Sequence, residues 1–214
     1  MLEVNGQSII EKQLRNLPKN NIGKVVIIIG HCGEKLKEHI SNLDLKLNIL
    51  FLKNDNYKIT NCAYSLMLAS EFFKDIIIIN CDLLFSKQSI NRLINNNSSA
   101  AVCLRKNTDY QTDLQQAMVK NKIVNWSLRL EESNAEIMGP VKLKEKNSLK
   151  ILNYFNSLSL VKQKEKHCFS LLSECVDKID FSPIYVEDNS WFEIDDHNDY
   201  KNVKKLLKNS KLIV

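Results

Sequence analysis

The chain has 214 residues, 44% of them hydrophobic and 26% charged, which suits one domain with a substantial core. A net charge of +5 and a pI near 8.8 are too mild for a nucleic-acid face, and much of the charge sits in a C-terminal run (Lys201, Lys204, Lys205, Lys208, Lys211) that reads as the solvated side of a last helix. Nothing approaches the roughly 20 apolar residues of a membrane span, no signal-peptide pattern opens the chain, and six irregularly spaced cysteines without a C-x-x-C pair, with four scattered histidines, point to a reduced, cytosolic protein without a zinc site.

Residues 7–17 place Ile10, Leu14 and Leu17 on one helical face. Residues 24–29 (KVVIII) are continuous, β-branched and closed by Gly30, the pattern of a buried parallel strand. A short helix over 34–40 turns Leu36 and Ile40 inward, and the alternation of Leu47, Ile49 and Phe51 gives a second strand. After a polar loop at 54–60, residues 61–73 read as one helix with Ala63, Leu66, Met67, Ser70 and Phe73 on one side. Four isoleucines at 76–79 make another fully buried strand that ends at Asn80-Cys81-Asp82. A helix at 89–94 and a strand at 100–104 complete an alternation that argues an α/β fold, with a mostly parallel sheet and helices on both faces. Beyond Arg105 the segments 116–119 and 123–126 flank Lys120-Asn121-Lys122 as a hairpin. Helical patterns return from about 149 and over 169–176, a strand covers 183–186, and a final helix runs from about 198 to 208. No repeat or linker divides the chain, so residues 1–214 read as one domain.

In an open parallel sheet, ligands sit outside the carboxyl ends of the strands. Asp82 emerges at the tip of the isoleucine strand, placed to hold Mg²⁺ against a triphosphate; on position alone, a cap on the following helix or turn is at least as good a reading. A second acidic group, Glu193, Asp195, Asp196 and Asp199, is interleaved with Trp191, Phe192 and Ile194. In extended chain, Glu193 and Asp195 share one side while Phe192 and Ile194 take the other. Asp196 reads as the N-cap of the last helix, and Asp195 as the better metal ligand.

Several stretches, in order, resemble the nucleotidyltransferases of sugar phosphates and phosphocholine. LEVNGQSIIEKQL (2–14) is similar to their segment after the phosphate loop, and KVVIIIGH (24–31) to their second strand. NDNYKITNCAYSL (54–66) resembles the N-x-x-Y-x-x-T-N-x-x-x-S-L run of the phosphocholine cytidylyltransferase-like branch. IIIINCDLLF (76–85) resembles the metal-binding strand, AEIMG (135–139) the motif G-E-x-x-G, and WFEID (191–195) the motif W-Y-E-I-D. The resemblance implies transfer of a nucleoside monophosphate from an NTP, CTP favoured, to phosphocholine or a sugar-1-phosphate, with pyrophosphate released. It implies Mg²⁺ on Asp82 and Asp195, nucleotide near Thr60, Asn61 and Ser65, and the acceptor on the side of Glu136, Gly139 and Glu193. The partners are then the NTP and the small acceptor, with no nucleic acid and no membrane; a homo-oligomer stays open. Tyr64, Tyr110, Trp126 and Trp191 are the aromatic faces a choline group could use, with core packing the plainer role of each.

The family opens with a strand and a G-x-G-x-R loop, and this sequence starts at the segment that follows them, so the expectation is an N-terminally truncated domain, weak or inactive as it stands. Two smaller departures are Leu128, near a position where relatives carry a Lys, and Cys81, where Gly is usual. The family's first strand lies between the strands predicted at 24–29 and 76–79. Without it they would lack ladder partners, unless they close up on each other or another chain supplies the strand. Two other readings stand beside the enzyme. One is a non-catalytic nucleotide-binding or regulatory relative. The other is a glycosyltransferase, which Leu83 and Leu84 disfavour because that class carries D-x-D.

Overall fold

The computed structural model describes residues 1–106, 115–127, 130 and 132–209. The chain opens with a hairpin, β1 (Glu3–Val4) and β2 (Gln7–Ser8), around Asn5-Gly6. Both turn residues have positive φ (52° and 75°), which Asn-Gly supplies at least cost. The hairpin takes Gln7 and Ser8 from the predicted helix, and α1 (Ile9–Asn16) starts at a Ser8 side chain that accepts from Glu11 N. Next come β3 (Val25–Ile29), α2 (Gly33–Ser41) and β4 (Ile49–Lys53), with β3 and β4 parallel and in register. The helix expected over 61–73 breaks in two: α3 (Cys62–Met67), then a 3₁₀ turn at Ser70–Phe72. Then follow β5 (Ile76–Ile78), β6 (Leu83–Phe85), α4 (Lys87–Ile94) and β7 (Ala100–Lys106). The predicted hairpin is β8 (Gln116–Lys120) and β9 (Ile123–Ser127), turned by Asn121 and Lys122 at φ 52° and 63°. The remainder is β10 (Ala135–Leu143), α5 (Glu145–Ser157), α6 (Leu160–Glu165), α7 (Cys168–Ser173), β11 (Ser182–Tyr185), β12 (Trp191–Glu193) and α8 (His197–Lys208).

The main sheet runs β11-β7-β10-β8-β9, with β5 also on β10. β5 and β7 are both antiparallel to β10 and therefore parallel to each other, and β11 is parallel to β7. β10 thus runs against β5, β7 and β11, and of the hairpin strands β8 runs with these three while β9 runs with β10. Along β7 the side chains alternate between two hydrophobic layers. Ala100, Val102 and Leu104 join a core with α3, α5 and α7 residues such as Met67, Ile151 and Leu171, while Ala101 and Cys103 join Leu14, Ile40, Ile90 and Leu93 from α1, α2 and α4. Helices therefore cover both faces, as the sequence predicts. Cys103, Cys168 and Cys175 are free and buried, packing as small hydrophobes. Among the described residues no helix is long and apolar enough to cross a membrane.

Strands β3 and β5 depart from the expectation of full burial: Val25 to Ile28, Ile76 and Ile77 are half-buried. Nor do they close up on each other. Among the described residues β3 pairs with β4 and β5 with β10, and neither has a strand on its other edge. Val25 N–H donates to Asn48 O and Ile29 O accepts from Asn54 N, both at 2.8 Å, so the odd-numbered residues of β3 face β4. The backbone groups of Val26 and Ile28 point the other way, to an unpaired edge.

Candidate active site

β6 and β12 build the site between them. Their antiparallel register sets Glu193 opposite Leu83, and Ile194 N donates to Asp82 O at 3.1 Å. Ile194 is buried with Val4, Ile9, Leu84 and Val203 while Phe192 packs on the same cluster, which leaves Glu193 and Asp195 on the opposite side. One carboxylate oxygen each from Asp82, Glu193 and Asp195 lies within 4.8 Å of the others. Two of the acidic neighbours are otherwise engaged. Asp196 caps α8, and Asp199 completes the capping box while its Oδ2 accepts from Asp195 N at 3.1 Å, fixing the backbone of Asp195. The helix-cap alternative for Asp82 fails, because Ser86 caps α4. Asp82 Oδ1 is buried with no hydrogen-bond partner among the described residues.

Electrostatics follow from that crowding. Burial pushes Glu193 up to about 7, and Asp195, Asp82 and Asp199 add to it. Burial also raises Asp82, against a lowering backbone hydrogen bond and with Asp195 adding to the rise. Three converging carboxylates, one with an orphaned oxygen, are a donor set for a hard divalent cation, which takes oxygen ligands and relieves the mutual repulsion.

Beside the cluster is a cavity of about 570 Å³, lined by Glu193, Asp195, Gly139, Arg105, Trp191 and Phe192 among others. Gly139 is at φ +107°, where β10 shifts register, and a Cβ there would lie 2.5 Å from Leu83 Cδ1. It keeps the backbone close to the residue that follows Asp82. Glu136 is only 2% exposed and accepts from Arg105 Nε at 2.6 Å, so it is Arg105, at the cross-strand position on β7, that lines the cavity. Sequence reasoning missed Arg105, although its place opposite Glu136 follows once β10 is recognised as a strand.

The second predicted group gathers around Asn54, also unsuspected as a hub. The buried Asn54 Nδ2 donates to Thr60 Oγ1 and Ser65 Oγ, both at 3.0 Å, and its Oδ1 accepts from Asn56 N at 2.9 Å. Thr60 Oγ1 in turn donates to Asn56 O at 2.9 Å. Asn61 caps α3, its Oδ1 accepting from Cys62 N at 2.7 Å, and its amide nitrogen meets His167 Nε2 at 2.9 Å. Burial and the charge of Asp82 raise the Cys81 thiol, with a smaller push from Cys62, so the start of α3 and the tip of β5 are neighbours. Of the aromatic candidates, Trp126 is 1% exposed and packed edge-on against Phe181, Tyr64 packs on the same core, and Trp191 lines the cavity. Tyr110 and Leu128 lie outside the described residues.

No family model matches the chain. It is 30% identical over 87 residues to the choline-phosphate cytidylyltransferase of Haemophilus influenzae, a match spanning 41% of this chain and 36% of that enzyme. It is 23% identical to the choline-phosphate cytidylyltransferase of Streptococcus pneumoniae over 98% of this chain and 89% of that one. Among solved structures, the inositol-1-phosphate CTP transferase from T. maritima superposes with a TM-score of 0.76 at 17% identity, covering 96% of this chain and 85% of its own. By sequence the chain is similar to choline-phosphate cytidylyltransferases, and by fold it resembles solved nucleotidyltransferase structures.

Proposed function

We propose that the chain transfers CMP from CTP to a small phosphorylated acceptor, phosphocholine ahead of a sugar-1-phosphate, and releases pyrophosphate. The observation that carries this reading is the converging trio Asp82, Glu193 and Asp195, with its orphaned Asp82 oxygen, beside the 570 Å³ cavity. These carboxylates are the residues that would hold Mg²⁺, which when bound neutralises charge on the triphosphate and orients it. The chain's own residues position the reactants. The Thr60, Asn61 and Ser65 edge takes the nucleotide. The acceptor enters the cavity, where Arg105 offers a guanidinium to its phosphate and Trp191 and Phe192 offer ring faces that suit a quaternary ammonium. An acceptor phosphate oxygen attacks the α-phosphorus, the bond to the bridging oxygen breaks, and pyrophosphate leaves with that electron pair. Positioning and charge neutralisation carry the step, with no covalent enzyme intermediate.

The test is pyrophosphate release with Mg²⁺ across a panel of CTP and other NTPs against phosphocholine and sugar-1-phosphates. Release that requires CTP and Mg²⁺ and is fastest with phosphocholine is expected. No release with any pair overturns the transferase reading, and in that case Mg²⁺-dependent CTP binding without turnover identifies a non-catalytic nucleotide-binding relative.

A further inference from the structure

We propose that His167 is a positioning residue which, only when its imidazole is neutral, latches the α6–α7 connection onto Asn61 and fixes that amide toward the nucleotide. The link to the nucleotide rests on the function proposed above; the latch itself does not.

The geometry assigns every atom of the contact. Asn61 Oδ1 accepts from Cys62 N at 2.7 Å, and a backbone N–H can only donate, so the amide cannot be turned over. Its Nδ2 therefore donates to His167 Nε2, 2.9 Å away. Nε2 must then carry a lone pair, and the ring proton belongs on Nδ1. A protonated imidazole would set two donors against each other. The latch closes a wider clasp: Asn61 N donates to Lys164 O at 2.7 Å, Ala63 N to Lys166 O at 3.2 Å, and Cys168 N to Cys62 Sγ at 3.0 Å. Residues 164–168 thus clothe the start of α3 on one side, and His167 is the side chain that reaches across. An amide has two donor hydrogens and two acceptor lone pairs. Cys62 and His167 take one of each, leaving one donor and one acceptor held in a fixed direction for a ligand.

The charges around the ring nearly balance. Lys164, Glu165 and Lys166 flank it on its own segment, and Lys166 Nζ is tied to Glu174 at 2.8 and 3.0 Å. From α3 comes the Cys62 thiol, from α7 the buried Cys168 thiol, and from α5 Tyr154, whose hydroxyl donates to Glu174 at 2.8 Å and which burial keeps neutral to about 12. β9 brings no titratable side chain. Histidine is the side-chain type whose charge change ordinarily falls between pH 8 and 5.5, and a proton on Nε2 would remove the acceptor that Asn61 uses.

The test compares Mg²⁺·CTP affinity of the wild type with His167→Gln and His167→Ala over that pH range. Gln keeps an acceptor for Asn61 and cannot be protonated. Wild type and His167→Gln should bind within about twofold of each other at pH 8, and on acidification the wild type should lose about three- to tenfold more, the worth of one hydrogen bond. His167→Ala should be weaker at every pH. Titration of the nucleotide and of the carboxylate trio affects all three proteins and cancels in the comparison. Parallel pH profiles for wild type and His167→Gln overturn the proposal. The ¹⁵N spectrum of the His167 ring provides a readout that needs no nucleotide: Nε2 unprotonated at pH 8, with the Asn61 side-chain amide shifting as the ring takes up its proton. A protonated Nε2 in the neutral ring overturns the latch. A latch confirmed by NMR in a protein that binds no nucleotide overturns only the functional reading on which the affinity effect rests.

Discussion

Glu193 shows how converging carboxylates cost stability. Its carboxyl is raised from the usual 4.5 to about 7 by burial, then by Asp195, Asp82 and Asp199. Below the unfolded value both states hold the proton and nothing is lost. Between 4.5 and 7 the folded state holds more proton than the unfolded, so stability falls as pH rises, and above 7 the whole penalty is present. A shift of this size would correspond to about 3 kcal/mol, and solvent screening at a half-exposed group reduces it to about 1–2 kcal/mol. In EDTA, chemical denaturation should therefore show the protein less stable at pH 8 than at pH 5, with Mg²⁺ restoring most of the difference. Glu193→Gln should add about 1–2 kcal/mol at pH 8 in EDTA and close to nothing at pH 5. Equal gains at both pH values would mean that repulsion within the trio is not the cause. Asp82→Asn should likewise stabilise the metal-free protein while lowering turnover by at least about a hundredfold, since it removes the carboxylate proposed to hold the metal, whose Oδ1 has no hydrogen-bond partner among the described residues.

At the scale of elements, Gly139 joins fold and site. β10 changes register there, at φ +107°, and an added methyl would lie 2.5 Å from Leu83. Gly139→Ala should cost about 2–4 kcal/mol by adding backbone strain to overpacking, and it should weaken Mg²⁺ binding as well, because Leu83 follows Asp82. A urea midpoint shift without a change in Mg²⁺ affinity would separate the two effects. The same strand marks the limit of what could be read beforehand. Nine residues of β10, eight of them buried, contain Gly139, Pro140 and two charged residues, so neither the alternating nor the continuous apolar pattern shows, and only the short 135–139 motif stands out. The α1 start and the 61–73 helix were misjudged for a related reason, since local turn chemistry at Asn5-Gly6 and after Met67 overrode periodicity. The carboxylates were legible because each ends an apolar extended run. Asn54, Arg105 and His167 were not, because their partners are 11, 31 and 106 residues away in sequence, and pairing at such distances appears only in three dimensions.

For the whole molecule, the open edge of β3 has the largest consequence. KVVIII is a sequence for a strand buried on both faces and paired on both sides, yet among the described residues its ladder partner is β4 alone. Amides that donate in a ladder exchange slowly, and those on an edge exchange with the solvent that reaches them. Because Val25 N–H and Ile29 C=O point to β4, the amides of Val25, Ile27 and Ile29 should be protected, while those of Val26 and Ile28 exchange at least about tenfold faster. Residue-resolved hydrogen exchange by NMR reads this alternation directly. Uniform protection along Val25–Ile29 would show that the edge is covered in solution by a further pairing segment. An extended apolar peptide that slowed only Val26 and Ile28 would show that the edge accepts one more strand. Since β4 and the loop holding Asn54 hang on β3, pairing at that edge should also raise the melting temperature, which links the β3 edge to the order of the Asn54 loop.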